Sequence, residues 1–172
     1  MEHEAIGGEF LDITRARLGD AHRRLAATLR PLTAAELGFR PNLASNSIAN
    51  LVLHLCGHLR AGYLGHAADR NRPQEFLAEG PFEPGPLQAL VDDTFSALDQ
   101  RLASLRPADL ADPERRDGPE GTLLRSLVYS LAHTAEHVGQ VILLAKAQRP
   151  DAIGPLWGGP VRGPGSTGPG GP

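Results

Sequence analysis

The sequence predicts an all-α protein: a four-helix bundle with long connecting loops and a Gly/Pro-rich C-terminal tail expected to be disordered. Three observations carry this expectation. Four segments repeat apolar residues every three or four positions, the pattern of helices that bury one face. No segment alternates apolar and polar residues for long enough to make a half-buried strand. Residues able to cap helices stand close to where periodic segments begin.

The first helix is expected over about 8–31, with Leu11, Leu18, Ala21, Leu25, Leu29 and Leu32 on one stripe. "TAAE" (33–36) then makes a capping box that starts a short helical turn. The turn ends before "RPN", because the residue preceding Pro41 is pushed out of the α region. "SNS" (45–47) offers side-chain acceptors to the free N–H groups of a second helix over about 46–67, striped by Ile48, Leu51, Val52, Leu55 and Leu59. The third spans about 86–105, with Leu87, Val91, Phe95, Leu98, Leu102 and Leu105. The fourth spans about 121–148, with Leu124, Leu127, Val128, Leu131, Val138, Val141 and Ile142.

The connections, about 32–45, 68–85 and 106–120, are too long for tight helix hairpins, so helices consecutive in the chain need not be neighbours. "RLAATLRPLTAAEL" (24–37) is echoed by "RLASLRPADL" (101–110). Each string closes an odd-numbered helix and precedes a histidine-bearing one, through duplication of a helix pair or through chance. Residues 154–172 are mostly Gly and Pro and cannot bury enough apolar surface to offset the entropy of ordering them. The domain is therefore expected over 1–153 and a disordered tail over 154–172, with Trp157 and Val161 not docked.

At 172 residues, 41% hydrophobic and 22% charged, the chain suits one domain with a real core. Its net charge of −3 and scattered arginines leave no electrostatic footprint for nucleic acid. Cys56 is the single cysteine, so no intrachain disulfide forms, which is compatible with a reducing cytosol. The opening "MEHEAIGGEFLDI" has neither the basic nor the apolar region of a signal peptide, and no run approaches the roughly 18 apolar residues of a membrane span. A cytoplasmic location without membrane association is the expectation.

The histidines carry the chemistry. On the fourth helix a stripe of Ser126, Ser130, His133, His137, Gln140 and Leu144 runs beside the apolar centre, a polar seam aimed at neighbouring helices. Polar groups at a core border need partners, because burying them unpaired is costly. The second helix repeats the pattern with His54 and His58 in "LVLHLCGHL". Residues at i and i+4 have Cβ atoms about 5–6 Å apart, so two imidazoles can converge on one ion at about 2.0–2.1 Å. A third imidazole from a facing helix makes such a site strong and leaves positions for water or substrate. The competing reading is a plain bundle whose histidines bond to one another and to serines. His22 reads as a partly buried histidine, His66 and His3 as solvent-facing, Glu136 as a surface residue and Cys56 as a small apolar filler.

"EFLDITRARL", "LTAAELGFRPN", "SNSIANLVLHLCGHLRAGYL", "DRNRPQEF" and "LVYSLAHTAEHVGQVILLAK" together resemble the DinB-like (DinB/YfiT) superfamily of metalloenzymes, and within it a subfamily of unknown function. The resemblance covers about residues 9–150 and is most specific in "NSIANLVLHL" and the H-x-x-x-H-x-G-Q string of the fourth helix. It implies an up-down-down-up four-helix bundle holding one divalent ion through three histidines, which fall on His54, His133 and His137. Several relatives are transferases or isomerases that use low-molecular-weight thiols, and many are thought to be dimers. Relatives often carry an amide where this chain has His58, which leaves His58 as a fourth ligand, a hydrogen-bond donor to a ligand, or an unconnected polar residue.

Imidazole-only ligation suits Zn²⁺, Ni²⁺, Fe²⁺ or Cu²⁺. With an open position it lowers the pKa of bound water towards about 7 or deprotonates a bound thiol, chemistry that serves hydrolysis or thiol transfer. The leading expectation is thus a metal-dependent hydrolase or thiol transferase acting on a small molecule. Ser126, Ser130 and Gln140 would orient ligands or substrate, and Tyr129, Tyr63 and Glu136 are the candidates for a general base. The alternative is a non-catalytic stress or interaction bundle in which the ion is structural.

Overall fold

The computed structural model describes residues 2–111 and 121–153. The expected tail over 154–172, with Trp157 and Val161, lies outside the described residues. Among those residues the chain forms six α-helices and one 3-10 turn, with no strand. They are α1 (Glu2–Leu29), α2 (Ala34–Gly38), α3 (Ile48–Tyr63), α4 (Arg72–Leu77), α5 (Pro84–Ala103), the turn Pro107–Leu110 and α6 (Leu123–Gln148). The long helices α1, α3, α5 and α6 are the four expected from periodicity.

Their ends show what the pattern could not. α1 begins earlier than expected and runs through Gly7 and Gly8. A Cβ at Gly7 would stand 2.8 Å from Cβ of Pro107, so this glycine admits the 3-10 turn against α1 rather than breaking the helix. α3 stops at Tyr63 rather than continuing to 67, because Gly65 takes φ +77° and the His66 N–H turns back to the Arg60 carbonyl at 3.2 Å. The capping boxes are present: Thr33 with Glu36 starts α2, and Ser47 with Asn50 starts α3. Thr122 caps α6 through the Arg125 N–H.

α1 packs against α5 and α6, and so does α3; α1 therefore lies diagonally opposite α3. Paired side chains set the directions. Arg15 meets Asp99 and His22 meets Asp92, so α1 and α5 run antiparallel. His58 meets Ser130 and Tyr63 meets Ser126, so α3 and α6 are antiparallel too. Leu53 shares a cleft with Leu90, and Tyr63 shares one with Ala97 and Arg101, so α3 and α5 are parallel. The order is up-down-down-up, and the long connections make it possible.

The stripes of α1, α3 and α5 are buried as expected. On α6 the expectation was partly wrong: Leu124 and Val128 are 40% and 52% exposed. The buried face of α6 instead passes through Leu123, Ser126, Leu127, Ser130 and Thr134. Two serines take core positions because Tyr63 and His58 of α3 supply them with hydrogen bonds, which turns the helix and leaves Leu124 and Val128 outside.

Candidate metal centre

α3 and α6 face each other through the four histidines of the seam. His54 is buried, while His58, His133 and His137 are partly buried. His54, His133 and His137 each offer one ring nitrogen, and these three atoms lie within 4.8 Å of one another. Their rings stand nearly perpendicular in pairs: His54 to His133 at 78°, His54 to His137 at 88° and His133 to His137 at 85°. Edge-on packing of this kind directs ring nitrogens toward a shared point rather than stacking faces.

The outward nitrogens of His54 and His137 are tied down. The His54 Nδ1–H donates to Glu75 Oε2 at 3.0 Å, and the His137 Nδ1–H donates to Gln140 Oε1 at 2.8 Å. Each bond selects the tautomer whose Nε2 is a free acceptor, the arrangement seen around metal-bound histidines. The Nε2 atoms of His133 and His137 are buried and have no hydrogen-bond partner. A buried ring nitrogen left unpaired is costly, and here two of them share one spot. A cation fits them as a proton donor would.

Glu75 sits on α4, inside the connection expected over about 68–85, where the sequence pattern marks no site residue. Asn71 caps that helix through the Gln74 N–H, and Pro73 stands in its first turn. That signal was legible in "DRNRPQEF". Arg70 grips the Glu75 carboxylate with Nε at 2.9 Å and Nη2 at 3.1 Å. Burial pulls the Glu75 carboxyl up, but its bonds from Arg70 and His54 outweigh this and hold it below the usual range. Asn50 places α4 over α3 by donating to the Glu75 and Ala78 carbonyls, both at 3.0 Å. Gly57 leaves the space in which the carboxylate lies: a Cβ there would be 2.9 Å from Glu75 Cδ and closer still to Oε1.

Burial is also the first cause of the low histidine pKa values. It lowers His54 against the opposing bond from Glu75, takes His58 down to about 4, and, with the neighbouring imidazoles, takes His133 down to about 3. Neutral imidazoles are the form that binds metal.

His58 stands apart from the three. The Ser130 hydroxyl bridges His58 Nε2 at 2.9 Å and the Tyr63 hydroxyl at 2.7 Å, and Tyr63 donates to Ser126 at 3.1 Å. His58 packs edge-on against His133 at 4.6 Å between ring centres, so it supports that ring from behind. Tyr129, 46% exposed, stacks on His133 at 5.5 Å and 16° and also meets His58 edge-on at 5.7 Å, so the three rings form one cluster. The remaining histidines lie elsewhere: His22 bonds Asp92 and stacks on Phe95, His66 bonds Asp69, and His3 is exposed. Glu136 is exposed, and Cys56 is buried with its thiol pushed up to about 12. Among the described residues no helix is long and apolar enough to cross a membrane.

A family model described as the DinB superfamily matches residues 17–141, a span that holds α3, α4, α5 and all four histidines of the seam. No curated protein and no solved structure matches the chain.

Proposed function

The chain belongs to the DinB superfamily, and from that premise we propose that it holds a divalent transition-metal ion through His54, His133 and His137 and works as a metal-dependent hydrolase or low-molecular-weight-thiol transferase. The observation that carries the reading is the meeting of three imidazoles whose ring nitrogens lie within 4.8 Å, two of them buried Nε2 atoms without a partner. Nitrogens on a tetrahedral ion at about 2.0–2.1 Å sit roughly 3.3 Å apart, so small side-chain rotations close the set.

Each neighbouring residue has a part in this reading. Glu75 and Gln140 fix the tautomers of His54 and His137 and raise their basicity as ligands. Arg70 keeps Glu75 ionised, and Tyr129 and His58, themselves in contact, both pack on the His133 ring. A bound ion with an open position would supply Lewis-acid activation of water or a thiol. A cleft of about 310 Å³ lined by Asn46, Leu51, Gln140, Leu143 and Leu144 lies behind His137, on the side of its Nδ1 bond to Gln140. Tyr129 is the exposed acid–base group beside the ligands, whereas Tyr63 is engaged by two serines and Glu136 faces solvent away from the seam.

The test is metal content by inductively coupled plasma spectrometry on protein purified without a histidine tag. One ion per chain is expected, falling by about tenfold or more in each of His54→Ala, His133→Ala and His137→Ala, with His58→Gln retaining it. Unchanged stoichiometry in all three alanine variants would refute the assignment. Loaded protein is then assayed with ester substrates and with thiols plus electrophiles. A large fall in melting temperature on chelation without any turnover would replace the enzyme by the structural-ion reading.

A further inference from the structure

On the far side of Glu75 from His54 lies a second cleft, of about 460 Å³, between α3, α4 and α5. It is separate from the seam: it opens on the α3 stripe of Leu53, Gly57 and Arg60, while His54 and His58 point to α6. Its apolar lining comes from Leu53, Ala78 and Leu90. Its volume lies in the range of small-molecule sites, roughly 300–1,000 Å³.

The charges around it are nearly all spent. Arg70 and Glu75 are bound to each other, and Asp69 turns outward, 79% exposed, toward His66. Arg60 is the exception. It is half-buried, lines both this cleft and the adjoining one, and no carboxylate among the described residues reaches it within ion-pair distance. Asp93 lines the adjoining cleft beside it without forming a pair. None of its side-chain nitrogens is fully buried, so its donors are open to a ligand from the clefts that it lines. The missing partner is a single planar anion, which a guanidinium binds with two parallel N–H donors, and the apolar lining selects what that anion carries.

We infer that this cleft binds a small monocarboxylate with an apolar body, its carboxylate on Arg60 and its hydrocarbon against Leu53 and Leu90. Arg70 and Glu75 form the wall toward His54, so an occupant touches the pair that orients that histidine. The binding itself needs no ion.

The experiment is calorimetric titration of metal-free full-length protein with octanoate, so the outcome is independent of whether the three histidines hold metal. Saturable one-to-one binding with Kd below about 1 mM is expected, with octanamide, Arg60→Gln and Leu90→Glu each weakening it by at least about tenfold. Leu90→Glu places a tethered carboxylate in the cleft and is compared with the parent by thermal melt to confirm folding. No saturable octanoate binding, equal binding of octanamide, or unaltered binding in both variants would overturn the inference.

Discussion

Gly57 and Glu75 occupy each other's space: the carboxylate lies where a side chain at 57 would be. Alanine in mid-helix is normally worth about 1 kcal/mol over glycine. Here that gain is opposed by displacement of the Glu75 carboxylate, a flexible group that can move at the cost of its bond to His54. Gly57→Ala should therefore change stability by no more than about 1 kcal/mol yet lower metal affinity by about 10- to 100-fold, the usual cost of losing a hydrogen bond to a ligating histidine. Competition titration with a chromophoric chelator, beside a thermal melt, separates the two effects; unchanged affinity would detach Glu75 from the site. The two histidine pairs, 54 with 58 and 133 with 137, were legible because an i, i+4 pair is a local pattern with a fixed geometry, whereas the grouping of His54 with His133 and His137 came from family resemblance. Glu75 was not, because its approach to His54 depends on where a connection folds back, and no periodicity records that. The role of His58 also stayed open in sequence, since Ser130 reaches it only across the helix interface.

At the scale of elements, α4 is a single short turn whose position rests on Asn50. The Asn50 amide caps α3 with Ser47, accepts from Arg40 Nη2 at 2.8 Å and donates to two carbonyls of the α4 segment. Asn50→Ala removes the partners of buried groups on three segments at once. A loss of about 2–4 kcal/mol is expected in urea unfolding, together with faster proteolytic cleavage between residues 66 and 80. Intact protection of that segment would mean that α4 is held by packing alone. The four long helices were readable because each buries a stripe, and α2 because its capping box is local. α4 fell inside a stretch read as connection: too short to show a stripe, it is held by a side chain from another helix. α6 shows the opposite failure. Leu124 and Val128 look like core by hydropathy, but the serines took the inside positions because α3 offered them partners.

For the whole molecule, the buried imidazoles make stability depend on pH in the metal-free state. His58 and His133 titrate near 4 and 3 when folded, against about 6.5 in an unfolded chain. Below pH 6.5 the unfolded chain takes up protons that the folded one refuses, so stability falls as pH drops from 6.5 toward 4, by at most about 1.4 kcal/mol per pH unit for each histidine. Glu75, held low when folded, adds its own loss only at the acid end, as pH falls below the unfolded carboxyl value. Melting temperatures from circular dichroism between pH 7.5 and 4.5 should decline along this course, and less steeply in His133→Gln. A flat profile would mean that these rings are solvated. The helix directions follow from the paired residues of α1 with α5 and of α3 with α6; in the sequence they came only through family resemblance, since stripes carry no sense of up or down.

The three histidines proposed as ligands are divided between α3 and α6, with all of α5 in between. During synthesis a ribosome will have finished three long helices before the second and third imidazoles emerge, and a nascent chain ending before residue 123 carries only one of them. On the proposed assignment, loading of an ion is a finishing step, open only to a chain whose last helix has already docked.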